Sequence, residues 1–292
     1  MKCTYLGPLG TFSEAALCSL PNASEILAKP RATVSAALAA VRSGDSDCAV
    51  VPLENSVKGV VPATLEELVN RDGSLYIDAE IQLPVTFHLM VQPGQSLADL
   101  TTVLSHPHAH AQCRKWLDIH APGAQAVFSS STAAAARTVA QGGDRRVAAI
   151  ASSAAARSYS LSVIASDIGE RSHAVTRFVV VTSNWTLQPI SGDDRTTLVV
   201  SAEGLAAGVL VDILQQFSAR GVNLTGIQSW PTGSELGSYY FFLDLDGHIQ
   251  ESRVSDAITA VRRRATSTHV LGSYPRHQTV RPTRLRQQMA NT

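Results

Sequence analysis

Paired cysteines, long apolar runs and an excess of charge of either sign are all missing from this sequence. Its four cysteines, Cys3, Cys18, Cys48 and Cys113, stand singly, with no C-x-x-C pair and no histidine at ligand spacing. They read as small hydrophobic side chains of a reducing compartment rather than as disulfide, metal or catalytic groups. Lys plus Arg and Asp plus Glu both number 24, so no long-range field favours nucleic acid or an anionic membrane as a partner. No stretch approaches the ~18 uninterrupted apolar residues of a membrane span. Met1 to Gly7 enters a strand pattern without an apolar signal core, so a cytoplasmic location is expected. Signatures of common chemistries are absent too. No Walker lysine follows Gly10, and no G-x-G-x-x-G, G-x-S-x-G or H-E-x-x-H occurs, which argues against nucleotide phosphates, serine hydrolysis and zinc peptidase chemistry.

What remains is an ordinary globular composition, 45% hydrophobic and 16% charged over 292 residues, enough for two or three packed units. Up to about residue 165 one motif recurs: a short apolar strand, a turn of Gly, Ser, Thr or Asn, then an alanine-rich helix. The strands are expected at Cys3–Leu6, Cys48–Pro52, Thr102–Leu104, Ala126–Phe128 and Val147–Ile150. The helices follow at about Ser13–Leu20 and Ala63–Asn70, then up to about Asp118, Ala140 and Ser158. Turn hydroxyls suit N-caps and Pro62 and Pro107 suit first helical turns, so the pattern implies a mostly parallel α/β sheet covered on both faces. Ile81–Gln92 is extended without a helix and Val179–Thr182 is a late strand. A chain that leaves one lobe, builds a second and returns would give a hinged, two-lobed unit. The expected division is lobe one at about 1–80 plus 165–182 and lobe two at about 81–164.

Residues 183–194 read as a linker rich in Gly, Pro, Asp and Ser. Beyond it the order βαββαβ over 195–273 is the ferredoxin-like split unit. Residues 274–292, with Arg276, Arg281, Arg284 and Arg286, read as a solvated basic tail.

In open α/β sheets ligands sit at the carboxyl ends of strands, where helix N-termini favour anions. Converging turns therefore suggest a small acid with more than one carboxylate. That reading fits an enzyme and a solute-binding module equally well. Taken residue by residue, the alternatives stay open. Thr176 is a β-former or a donor; Asn55 is a turn residue or a ligand. Ser105 is an N-cap, a substrate contact or both, and Gln112 is a surface or a site residue. Glu54 is a general acid or a carboxylate that orders its loop. His106 and His110 lie four apart without a carboxylate to complete a metal set. Arg177 is the best partner for a substrate carboxylate, because guanidinium is always charged and binds bidentately.

The wording of the turns resembles the prephenate dehydratase family. Tyr5-Leu6-Gly7-Pro8-Leu9-Gly10-Thr11-Phe12-Ser13, Val51-Pro52-Leu53-Glu54-Asn55-Ser56, Ser105-His106-Pro107-His108-Ala109-His110-Ala111-Gln112-Cys113, Ser131-Thr132 and Thr176-Arg177-Phe178 are similar to its motifs, in order. The βαββαβ unit resembles the ACT domain of that family. The resemblance implies a periplasmic-binding-protein-like catalytic domain with an ACT regulatory domain, converting prephenate to phenylpyruvate without metal or organic cofactor. It implies Thr176, Asn55, Ser105 and Gln112 as catalytic residues, with Thr11, Glu54, Ser131, Thr132, Arg177 and Phe178 binding substrate. It also implies phenylalanine or another hydrophobic amino acid as effector at Gly208, Val209, Leu210, Gln228, Ser229, Trp230 and Pro231, in a homodimer or homotetramer. Departures occur at His108, at Ser172 to Val175, and at Gln228 and Trp230, where the family carries charges. A prephenate decarboxylase on the same scaffold and a non-catalytic sensor of small acids are the alternatives.

Overall fold

The computed structural model describes residues 1–69, 75–171, 173–202, 208–233 and 238–277. The chain begins β1 (Lys2–Leu6), α1 (Phe12–Cys18), β2 (Leu27–Arg31), α2 (Val34–Arg42), β3 (Cys48–Asn55), β4 (Gly59–Val60), α3 (Pro62–Val69) and β5 (Tyr76–Pro84). It continues β6 (His88–Val91), β7 (Thr102–Ser105), α4 (Pro107–Gln112), α5 (Arg114–His120), β8 (Gln125–Phe128), α6 (Thr132–Gln141), β9 (Val147–Ala151), α7 (Ser153–Ser158), β10 (Ser162–Ala165) and β11 (Val175–Thr182). The last unit is β12 (Asp194–Ala202), α8 (Val209–Ser218), β13 (Leu224–Pro231), β14 (Tyr239–Asp246), α9 (Ser252–Arg262) and β15 (Ser267–Pro275).

Two α/β sheets form the first part. Sheet one runs β2-β1-β3-β11-β5, with β4 on β3; sheet two runs β10-β6-β9-β7-β8. Apart from the short β4, which is antiparallel to β3, each is mostly parallel with one strand reversed inside it: β11 opposes β3 and β5, and β6 opposes β9 and β10. These reversed strands are the ones the chain enters on crossing between sheets. Leaving the carboxyl end of β5, it enters β6 from the same edge after only residues 85–87. The carboxyl ends of the parallel strands in both sheets therefore lie at the crossing. The two passages bond to each other: Val85 N–H donates to Ala174 O at 2.8 Å, and Ile168 N–H donates to Phe87 O at 2.9 Å. Phe12 and Val57 of the first lobe pack on the apolar cluster that holds Val85, Phe87, Ile168 and Ala174, with Phe12 edge-on to Phe87.

Several expectations shift. Ile81 and Leu83 pair with β11 in sheet one, so the crossing is at 85–87 rather than across Ile81–Gln92. β2, α2 and β10 carried no recognised signal. β2 is an edge strand with Leu27 56% exposed and Pro30 within it, so it lacks alternating apolar residues. The helix expected after Pro107 breaks at buried Cys113, whose ψ of 3° ends α4 before α5 begins. The cysteines are single in sequence but not all so in space, since Cys3 and Cys48 are register partners on β1 and β3.

The C-terminal unit folds in the expected βαββαβ order, as an antiparallel sheet β13-β14-β12-β15. One face of that sheet, with Leu198, Val200, Phe241 and Leu243, is covered by α8 and α9 through Ile213, Phe217, Val254 and Ile258. The other face does not meet solvent. Val199, Phe242, Leu271 and Tyr274 join Leu68, Ile77, Val179 and Val181 of the first lobe in one core. Contact is so close at β15 that a Cβ on Gly272 would lie 2.1 Å from Ile77 O. The segment 183–194 lies on this junction rather than hanging free: Trp185 stacks on Tyr76, and Gln188 Nε2 donates to Asp78. The expected tail also starts too early at 274. Tyr274 is fully buried in β15 with its hydroxyl 2.9 Å from Thr197 Oγ1, and Arg276 pairs with Asp193 and Asp246. Residues 278–292 lie outside the described residues.

Candidate active site

The edge where the strands converge carries the hydroxyls that cap the helices. Thr11 Oγ1 accepts from Glu14 N–H at 3.3 Å and donates to Leu6 O at 2.9 Å, which fixes the loop into α1. Glu14 in turn accepts from Gly10 N–H and from Tyr5 Oη–H. Ser131 Oγ accepts from Ala134 N–H at 3.0 Å and caps α6, whose first residue is Thr132. These groups act on backbone, and their effect on a ligand is to leave helix N–H groups aimed at the edge.

At the centre stand β3 and β11. Their antiparallel register puts Thr176 opposite Asn55 and Arg177 opposite Glu54. Asn55 Nδ2 donates to Thr176 Oγ1 at 2.9 Å, while Asn55 Oδ1 accepts from Val57 and Lys58 N–H at 2.9 and 3.1 Å. Those two backbone donors fix which way the amide points. Thr176 Oγ1 thus accepts from Asn55, and among the described residues its O–H has no acceptor. A buried hydroxyl whose oxygen is polarised by a donor and whose proton is unclaimed is arranged to donate to something else.

Other residues predicted from the sequence are placed differently. Ser105 is fully buried and its hydroxyl donates to Ile150 O at 2.8 Å, tying β7 to β9; the α4 cap is His106, whose Nδ1 accepts from His108 N–H. Burial holds the His106 and His110 imidazoles below the usual histidine value, with His108 adding to the effect at His106, so both favour the neutral form. Gln112 ends α4, and its carbonyl accepts from Glu170 N–H at 2.7 Å in the segment leading to β11. Phe178 is 2% exposed in the lobe-one core with Cys3, Tyr5 and Ile81.

Arg177 requires the largest correction. Side chains alternate along a strand, so Arg177 leaves β11 on the side away from Thr176. Its Nη2 donates to Asp244 of β14 at 2.6 Å and to Glu54 at 3.1 Å, and its Nη1 lies 3.6 Å from Glu80. Burial opposes its charge, but the acids outweigh that and hold it above the ordinary arginine value. This guanidinium faces the regulatory sheet, and Glu54 pairs with it there.

Residues that sequence reasoning passed over hold the lobes against each other. Ser152 caps α7 and its hydroxyl donates to Gly10 O at 2.9 Å across the lobes; Tyr159 Oη–H donates to Leu9 O at 2.8 Å. Gly10 has φ +83°, and a Cβ there would lie 2.8 Å from Ala155 Cα. Ser152 was legible only as one turn hydroxyl among several. Two sizeable cavities lie away from the Thr176–Asn55 pair, one of about 590 Å³ beside Asp47 and Thr182. The other, of about 430 Å³ beside Trp185 and Tyr240, lies at the junction of lobe one and the regulatory unit.

The expected effector residues fall on two faces. Val209 and Leu210 pack on the helix side of the regulatory sheet, next to Gly208, which starts α8 at φ 97°. Trp230 packs instead into the core shared with lobe one, and Gln228 lines a cavity there with Arg177, Glu54 and Asp244. Ser229 and Pro231 are exposed. One chain therefore does not bring the two halves together.

A family model described as prephenate dehydratase matches residues 3–185, and one described as ACT domain matches residues 196–263. The chain belongs to the prephenate dehydratase family. A curated prephenate dehydratase of Mycolicibacterium gilvum is 43% identical over 286 residues, 94% of this chain and 91% of that protein. The crystal structure of an Arthrobacter aurescens prephenate dehydratase in complex with L-Phe matches with a TM-score of 0.89 and 44% identity, covering 94% of this chain and 90% of that one. A protein described as a quorum-quenching acylase shares the architecture at a TM-score of 0.87 and 27% identity, covering 96% of this chain and 100% of that one. The scaffold thus supports more than one described activity, and family membership here rests on sequence.

Proposed function

We propose that the chain converts prephenate to phenylpyruvate, releasing carbon dioxide and water, and that the polarised Thr176 hydroxyl acts on the leaving group. The ring carboxylate departs as carbon dioxide, and its bonding electrons complete the aromatic ring. The ring hydroxyl leaves as water, with one proton taken up from solvent overall. Aromatisation supplies the driving force, so the protein has only to hold the dianion and assist the departing oxygen. Asn55 keeps Thr176 Oγ1 as an acceptor, which turns the Thr176 O–H toward substrate and makes it a preorganised donor where negative charge develops. The helix starts capped by Thr11, Ser131 and Ser152 offer N–H groups to carboxylates. Gln112 is the second-lobe candidate for a direct contact. Ser105 acts through the β7–β9 bond rather than through its proton.

The observation that carries this reading is the Asn55–Thr176 bond at the convergence of the strand ends. Purified protein given prephenate tests it, with the product followed by ultraviolet absorbance. Phenylpyruvate is the expected product; a non-aromatic dihydro-hydroxy acid would favour decarboxylation alone, and no turnover would favour a sensor.

We further infer a cytoplasmic enzyme regulated by phenylalanine. No helix among the described residues is long and apolar enough to cross a membrane. Because the two halves of the effector site lie on different faces of one ACT unit, a second copy is needed to bring them together. β13 is the outer strand of its sheet, with Ile227 50% exposed and Val211 on α8 55% exposed, which suits pairing in a homodimer or homotetramer. Calorimetric titration of the full chain with L-phenylalanine, with sedimentation to give its size, checks both points.

A further inference from the structure

The two strands that carry Thr176 and Asn55 also carry, one residue away on the opposite face, a charged cluster that reaches the regulatory sheet. Arg177 is the centre of that cluster, bound to Glu54 at 3.1 Å within lobe one and to Asp244 at 2.6 Å across the junction. Arg177 Nη1 also lies 3.6 Å from Glu80, which binds Arg195 Nη1 at 2.5 Å. Asp244 does not float in this arrangement. Its second oxygen accepts from Thr197 Oγ1–H at 2.7 Å, and Thr197 meets the buried Tyr274 hydroxyl at 2.9 Å. On the other side stands β13. Gly226 pairs with Asp244 next to a register shift in that strand, and a Cβ on Gly226 would lie 3.2 Å from Asp244 Oδ2. Two residues further along β13 is Gln228. A continuous set of contacts therefore runs from β13 through Asp244 to Arg177, whose own backbone precedes a β-bulge in the β11–β3 pairing. Bulges re-aim neighbouring side chains, and the residue before this one is Thr176.

We infer that Arg177 and Asp244 are positioning residues for the Thr176–Asn55 pair, and that their ion pair carries movement of β13 in the regulatory domain into the cleft. The reaction and the effector are those proposed above, so the inference rests on that reading. Arg177 holds Glu54 of β3 from the face opposite the cleft, and thereby fixes the pairing of β11 with β3. A shift of β13 moves the surface against which Asp244 is packed. Because the fork of Arg177 binds both Asp244 and Glu54, a displacement of Asp244 is felt on both strands. A displacement of about 1 Å at Thr176 is enough to matter, since misplacement of that order can cost roughly 100-fold in rate.

The test uses the full chain with the Asp244→Asn substitution, which keeps shape and the Thr197 contact but removes the charge facing Arg177. The expected result is a kcat lowered about 10-fold or more with KM for prephenate near the parent value, and partial recovery in Asp244→Glu. Phenylalanine should still bind by calorimetry, while its effect on kcat shrinks at least about fivefold. Unchanged kcat together with an unchanged phenylalanine response overturns the inference. Gly226→Ala, which presses on Asp244 without altering any charge, covers the case in which Asp244→Asn folds poorly. It should change the phenylalanine response with binding retained, and a response equal to the parent's again overturns the inference. Amide hydrogen exchange at Asn55–Val57 and Val175–Arg177 needs no turnover and separates this proposal from the choice of reaction. Added phenylalanine should alter exchange there in the parent and not in Asp244→Asn. An equal alteration in both, or none in the parent, rules out the ion pair as the route, whatever the product assay gives.

Discussion

Thr176 owes its proposed role to a neighbour rather than to its own acidity. An isolated threonine hydroxyl donates and accepts indifferently, whereas here Asn55 fills the acceptor side at 2.9 Å and the proton has no acceptor among the described residues. Thr176→Ala is therefore expected to lower kcat by about 10²–10³ with KM changed only a few-fold, measured by steady-state kinetics alongside circular dichroism. Asn55→Ala should cost a comparable amount, and the double variant little more than either alone, since the two act as a unit. Additive losses would mean that the residues work independently. The cysteines give a separate check on burial. Burial pushes the Cys113 thiol up to about 12, with Glu170 adding to it, and the hydrogen bond with Cys48 and burial raise Cys3. Cys18 alone of the four is exposed. At pH 8 a thiol reagent should label native protein at Cys18 and reach the rest only on unfolding. Rapid labelling of Cys113 would show that the helix break between α4 and α5 opens readily.

At the scale of elements, the lobes meet at the two crossing segments and where the Leu9–Gly10 loop lies against α7. Gly10 is needed twice over at this contact, by its positive φ and by the closeness of α7. Gly10→Ala should push α7 away and weaken the Ser152 and Tyr159 bonds to the loop. KM for prephenate should then rise about 10-fold or more, with unfolding temperature falling only modestly. The same kinetics, with scattering to follow the radius of gyration, would show whether the lobes have parted; a parent-like KM would mean that α7 yields without cost. The helix caps that build this edge were legible in the sequence, because Thr11, Ser131 and Ser152 lie where a strand pattern gives way to a helix pattern. β2 was not, because an exposed edge strand satisfies its backbone on one side and needs no apolar alternation. Ser105 misled for a related reason. Its position before Pro107 suits a cap, but the strand runs one residue further and the hydroxyl turns inward to Ile150.

For the whole molecule, the regulatory unit is part of the core of lobe one rather than a tethered module. Glu80 is fully buried and receives Arg195, His277 N–H and Gln82, with Arg177 near it. Removing one member of a buried pair leaves the other uncompensated, at a cost of about 3–5 kcal/mol. Glu80→Ala should therefore destabilise the chain by an amount in that range in a denaturant titration, and Glu80→Gln by less. A loss below about 1 kcal/mol would show that water replaces the carboxylate. A unit cut at Ser273 would lack Tyr274, whose ring belongs to the shared core and whose hydroxyl meets Thr197, so effector binding is best measured on the intact protein.

The sequence by itself determined most of the repeated strand-turn-helix units, the caps at Thr11 and Ser131 and the βαββαβ order. These follow from periodicity and capping, which act over a few residues. Only the tertiary structure decided which way Arg177 and Glu54 face. Their motifs suggested a substrate partner, yet the face of the β3–β11 pair they occupy is covered by a sheet whose Asp244 lies 67 residues beyond Arg177. A strand pattern fixes that neighbours point to opposite sides, but not what stands on each side. The docking of Gly272 against Ile77, where a side chain would not fit, brings Asp244 to that face, opposite the one on which Thr176 meets Asn55.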